Sequence, residues 1–252
     1  MNPRRIVDDI ALCLVFFTRL PLPRLEFGAR TLGEAIWAAP VAGFAVGLAG
    51  GLVHVVMVWL GVSFLIAGAL ALAATMLASG CLHEDGLSDV ADGFGGGATR
   101  ERKLEIMRDS RIGAYGASAL MMSMLLRWSA LISLFGPSLT FWSLIVAHTV
   151  SRALIPAFMQ IMPPARTDGL AAGAGKVEAN TAYTALAIGA AVLVACLGLT
   201  AATLAAIVLA LVFFAFRALC LRQIGGQTGD TLGALQQLSE IAVLVVAATL
   251  IT

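Results

Sequence analysis

The chain has 252 residues, 60% of them hydrophobic and only 12% charged, with a formal net charge of +1. Soluble domains hold about 45–50% apolar residues, so this composition and a mean hydropathy of +0.93 exclude an ordinary soluble enzyme. The near-neutral charge also gives no footprint for nucleic acid.

Several apolar runs exceed the ~18 residues that suffice to cross the hydrocarbon core as a helix. The fold class expected is therefore all-α, a polytopic membrane bundle of about seven transmembrane helices plus an N-terminal interfacial helix, in one catalytic domain over 1–252. Near the start, Arg4 and Arg5 precede the run Ile10–Phe17, with Asp8 and Asp9 standing between. Eight apolar residues are too few for a signal peptide here, and no cleavage site comes after them. An interfacial helix ended by Pro21 and Pro23 fits better. Thr31 is placed to cap the helix that leads into the first span.

Spans are expected over 35–60, 62–82, 113–135, 139–161, 182–199, 201–219 and 232–251. A short helix is expected over Thr99–Asp109, with Leu104 and Met107 as its apolar side. The turns near Gly61, Gly136–Ser138 and Leu199–Ala201 carry no charge, whereas Lys and Arg concentrate at the N-terminus and in the other loops. The positive-inside rule then puts the N-terminus and every polar loop in the cytoplasm. Four cysteines (Cys13, Cys81, Cys196, Cys220) lie in or beside apolar runs without C-x-x-C spacing and read as small buried hydrophobes.

The most informative stretch is His83-Glu84-Asp85-Gly86-Leu87-Ser88-Asp89-Val90-Ala91-Asp92-Gly93, with four carboxylates in nine residues. On a continuing helix Asp85, Asp89 and Asp92 stand at i, i+4 and i+7, on one face. Carboxylates so stacked repel one another and invite a hard cation with oxygen ligands, Mg²⁺ before Ca²⁺. A solvated acidic loop is the plain alternative. The glycines after Asp92 are expected to stop the helix and bare backbone amides to a phosphate. His83 is expected to point away from the three aspartates, as a secondary contact.

Arg100 to Arg111 holds five basic residues in twelve, which suits a phosphorylated substrate, since arginine forks bind phosphate oxygens in pairs. Arg108, Asp109 and Arg111 precede a Gly-rich helix start, a natural anion site. Solvated helix faces and topology determinants explain Arg100 and Arg102 equally well. Gly225-Gly226-Gln227-Thr228-Gly229-Asp230 is a second Gly-rich turn, with Asp230 as cap, metal ligand or proton acceptor. Arg127, Arg152, His54, His148 and Glu240 fall inside spans, where ionisable groups are functional by default. For Arg127 a partner across helices, Glu240, is the sober expectation.

The blocks His83–Gly93, Met107–Gly116, Phe16–Pro23 and Gly225–Ala234 together resemble the cobalamin synthase family, the adenosylcobinamide-GDP ribazoletransferases, in family order across nearly the whole chain. That resemblance implies transfer of a corrinoid phosphate from adenosylcobinamide-GDP to α-ribazole or its 5′-phosphate, with release of GMP. It implies Mg²⁺ as cofactor, the inner membrane as location, and corrinoid, nucleoside and membrane lipid as partners; a homo-oligomer is neither required nor excluded. The expected metal ligands are Asp85, Asp89 and Asp92, with Glu84, where the family is looser. Asp109 or Asp230 is expected to take the hydroxyl proton. His83, Gly93, Arg108, Arg111, Arg152 and Gly229 are expected to contact substrate or phosphate. A remoter likeness to CDP-alcohol phosphotransferases stops at Asp89-Val90-Ala91-Asp92-Gly93, because Phe94-Gly95-Gly96-Gly97 lacks their Ala-Arg. A cation transporter would need carboxylates near the bilayer midplane, and only Glu240 qualifies.

Overall fold

A short amphipathic helix, α1 (Pro3–Phe17), begins the chain and lies across the start of the first span. The computed structural model describes residues 3–22, 30–169 and 173–250; Pro23 and Ile251, at the edges of two expected elements, lie outside them. Asp9 on α1 is buried against Arg30 at 2.7 Å and Trp37 Nε1 at 2.7 Å. Burial opposes ionisation there, but these two donors win and hold its carboxyl below the usual range. Thr31 caps α2 (Leu32–Ala35) in a reciprocal capping box with Glu34, as its position predicted. A 3₁₀ turn, Ile36–Ala38, leads into α3 (Ala39–Trp59).

Next come α4 (Phe64–Ser79), α5 (Leu82–Gly96), α6 (Arg100–Ile106), α7 (Ala114–Ser133) and α8 (Pro137–Ile161). The chain closes with α9 (Ala179–Ile224) and α10 (Gly229–Leu250). Among the described residues the only extended pairing is an isolated bridge between Pro164 and Gln227. Five helices are long and apolar enough to cross a membrane, and α4 with α5 makes a sixth as a broken span. α9 breaks at Gly198 (φ 73°, ψ 168°). Ala182 and Leu193 before the break share one cavity of about 440 Å³ with Ala206 and Phe214 after it. In an unbroken helix Ala182 and Phe214 would stand about 48 Å apart, so the chain reverses and α9 supplies two spans.

α8 and α10 are buried along most of their length, and the other spans surround them. α3 meets α8 through Gly43 and Gly47, one turn apart. A Cβ at Gly43 would run into the His148 carbonyl oxygen, and one at Gly47 would sit 2.6 Å from that of Leu144. Small residues four apart permit such backbone contact where lipid offers no hydrophobic drive for helix association.

Two expectations need correction. The acidic stretch is helical, as the i, i+4 and i+7 spacing requires, but it does not open a polar segment: after a 90° bend it forms α5, packed into the bundle. Cys81 is exposed, unlike the buried Cys13 and Cys220, because it occupies the bend that starts α5.

Candidate active site

α5 owes its position to the Gly80–Cys81 break, where φ reaches 65° and 56° and the chain turns by 90°. Glycine takes this left-handed conformation freely, whereas Cys81 is strained in it. From there α5 runs antiparallel to the beginnings of α7 and α10. Glu84, at its inner end, accepts from Arg127 Nη1 at 3.0 Å and from Gln237 Nε2 at 3.3 Å. Gly86 packs so closely on α10 that a Cβ would lie 2.7 Å from the Asp230 carbonyl oxygen. Asp92, at its outer end, accepts from the Gly113 amide at 2.7 Å and the Gly116 amide at 2.8 Å.

Asp85 and Asp89 are thereby delivered to the charged end of the bundle beside Asp230. Asp85 lines both a small cavity of about 160 Å³ and a larger, more open one of about 680 Å³; Asp89 lines the larger one and Asp230 the smaller one. Asp85, Asp230 and Asp92 all act on half-buried Asp89 as negative neighbours. Arg166, on the loop after α8, places Nη2 3.5 Å from Asp230 Oδ2, and its buried Nη1 has no partner. A guanidinium with a free edge above carboxylates is a ready contact for a phosphate oxygen. Arg166 was missed in the sequence. Its signal was the Pro163-Pro164 pair, which lets the loop exchange backbone hydrogen bonds with Gln227 (Ala165 N–H to Gln227 O and Gln227 N–H to Pro163 O, both 2.8 Å).

The family model for cobalamin-5-phosphate synthase matches residues 9–248, nearly the whole chain and every residue of this cluster. The chain belongs to the cobalamin-5-phosphate synthase family. It is 60% identical to an adenosylcobinamide-GDP ribazoletransferase of Mesorhizobium japonicum, over 98% of this chain and 95% of that one. A protein of the same name from Bradyrhizobium diazoefficiens is 50% identical, over 97% and 95%. One from Azorhizobium caulinodans is 44% identical, over 97% and 96%. No solved structure matches.

Within this synthase-family chain the other expected site residues divide. Gly229 opens α10 on the smaller cavity, with free space where a Cβ would stand. Gly93 does not end a helix: α5 continues through Gly96, and the Gly93 surface is filled by Met107, as that of Gly95 is by Tyr115. These glycines let α6 and α7 pack close, and their amides stay inside the helix. Asp92, expected as a third metal ligand, has both its oxygens engaged by the positive end of α7. Among the described residues no three His, Cys, Asp or Glu side chains are gathered closely enough to hold an ion by themselves.

Arg108 pairs with Asp168, both well exposed. Arg111 borders the open cavity and pairs with Asp109 at 2.6 Å. Hydrogen bonds from Arg111 hold the Asp109 carboxyl down at about 2, so Asp109 is a poor proton acceptor, contrary to expectation. Arg152 was expected near phosphate but is enclosed. Its Nη1 donates to the His148 carbonyl at 3.1 Å and its Nη2 lies 3.4 Å from His83 Nδ1. Glu84 was expected among the metal ligands; Arg127 neutralises it instead. Arg127 also meets Glu240 at 3.1 Å, the partner anticipated for it.

Proposed function

We propose that this chain transfers the phosphocorrinoid of adenosylcobinamide-GDP to α-ribazole or α-ribazole 5′-phosphate, releasing GMP and forming adenosylcobalamin or its 5′-phosphate. The name carried by its relatives supports the reaction. One observation supports the place: Asp85 lines both cavities, with Asp89 on the larger one and Asp230, 3.5 Å from Arg166, on the smaller.

Mg²⁺ fits this donor set. The carboxylates are hard oxygen donors, and Mg²⁺ commonly takes one or two from the protein and completes its shell with substrate phosphates and water. Asp85 and Asp89 would hold it, so no triad of protein ligands is needed. A bound cation there supplies Lewis-acid charge to the diphosphate. Arg166 binds a phosphate oxygen through its free edge, with Arg111 at the outer wall. The ribazole 3′-hydroxyl oxygen bonds to the corrinoid-side phosphorus, and the bond from that phosphorus to the GMP oxygen breaks. Asp230 accepts the hydroxyl proton, and GMP leaves with the electron pair. The charged end faces the cytoplasm of the inner membrane on this reading, by the loop charges.

Purified membranes given adenosylcobinamide-GDP and α-ribazole should release GMP with Mg²⁺ and not with EDTA. GMP release that needs no divalent ion would refute the cation assignment; no release at all would refute the reaction.

A further inference from the structure

The 160 Å³ cavity is walled chiefly by apolar groups, among them Phe16 and Phe17 of α1, Ile36, Ile155 and Met159. Asp85 and Asp230 occupy its wall on the side of the proposed chemistry. A void of roughly 150 Å³ lined by apolar side chains takes up benzene, so the space suits one aromatic group. It is far too small for a corrin.

His83 forms part of the same wall, 2% exposed. Its ring stacks on Phe17 with centroids 5.9 Å apart and planes 9° from parallel. His83 Nδ1 faces Arg152 Nη2 at 3.4 Å. A guanidinium only donates, so Nδ1 accepts and Nε2 carries the hydrogen. That Nε2–H is buried without any partner. A buried donor left unpaired is costly, and the residue that carries it lines the cavity.

We propose that this cavity seats the base of the nucleoside substrate, with the His83 Nε2–H reading its free ring nitrogen. The assignment rests on the ribazole-transfer reading. Ribazole carries a benzimidazole that is glycosylated at one ring nitrogen and unsubstituted at the other. It is flat and apolar and presents a single acceptor, which matches an aromatic-lined cavity with a single orphan donor. Guanine, the other base in the reaction, offers several donors and acceptors that the apolar wall would leave unpaired. A base held here directs its ribose toward Asp230, the residue proposed to take the hydroxyl proton, and Gly229 leaves the passage clear.

The test compares α-ribazole with the analogue in which the free ring nitrogen is replaced by CH, in the wild type and in His83→Phe. The wild-type enzyme should favour ribazole by about tenfold in kcat/KM, the scale of one buried hydrogen bond. His83→Phe keeps an aromatic wall and should lose that preference, with KM for the corrinoid-GDP unchanged. Gly229→Val adds bulk on the cavity where a Cβ meets nothing within 4 Å and serves if His83→Phe fails to fold; it should raise the nucleoside KM at least tenfold. A wild-type preference retained in His83→Phe, or a shift of the corrinoid-GDP KM instead, overturns the assignment while the reaction stands. Absence of GMP release by the wild type would sink the parent reading and this one with it.

Discussion

Asp92 and Asp109 look alike in the sequence, yet the structure gives them different work, and neither is the work that spacing alone assigns. Asp92 anchors the start of α7 through two amides, and those amides belong to glycines because a Cβ at Gly116 would run into an Asp92 oxygen. Asp92→Asn turns one acceptor into a donor facing an N–H. It should cost about 1–3 kcal/mol, read as a lower melting temperature in detergent, and Gly116→Ala should destabilise in the same sense. Asp109 has a depressed pKa, so its charge is present above the ordinary aspartate range and is lost only as pH falls toward about 2. Asp109→Asn should therefore leave the pH–rate profile unchanged through the neutral range. A lost or shifted limb in that profile would restore Asp109 as a proton acceptor.

Helices were legible in the sequence where one signal dominates. The uncharged turns at Gly61 and Gly136, the Thr31 cap and the apolar lengths placed most spans within a few residues of their positions. α5 was not legible as a buried element, because its burial depends on partners remote in sequence: Arg127 for Glu84, Gly113 and Gly116 for Asp92, and the α10 backbone for Gly86. The same cause explains the glycines after Asp92, which signal a stop locally but serve contacts with Met107 and Tyr115. Arg166 was hidden for a similar reason, since only the Pro164–Gln227 pairing brings it over Asp230. Close packing of α3 on α8 rests on Gly43 and Gly47, so Gly47→Val should force those helices apart. Overpacking of this kind costs about 1–3 kcal/mol and would appear as reduced yield and thermal stability. Unchanged stability would show that the two helices are free to separate.

Across the whole molecule, α5, α7, α8 and α10 are joined by a buried polar network in which Arg127 bridges Glu84 and Glu240, while Glu240 also meets His148 at 3.2 Å and Gln236 at 2.7 Å. Glu240, the carboxylate that the transporter reading singled out, is thus engaged as structure, which removes the feature that reading required. Removing one partner of a buried pair strands the other charge and costs about 3–5 kcal/mol. Arg127→Met should accordingly abolish stable folding, and adding Glu84→Gln with Glu240→Gln should recover part of it. The account as a whole depends on the carboxylates that this network carries to the charged rim. Its most direct test is a Mg²⁺ titration of GMP release by Asp89→Asn in purified membranes. The account predicts normal insertion with a fall of about 10²–10³ in rate, the scale of losing one electrostatic contact to the transition state, and a higher Mg²⁺ requirement. Turnover by Asp89→Asn at the wild-type rate and the wild-type Mg²⁺ concentration would contradict it.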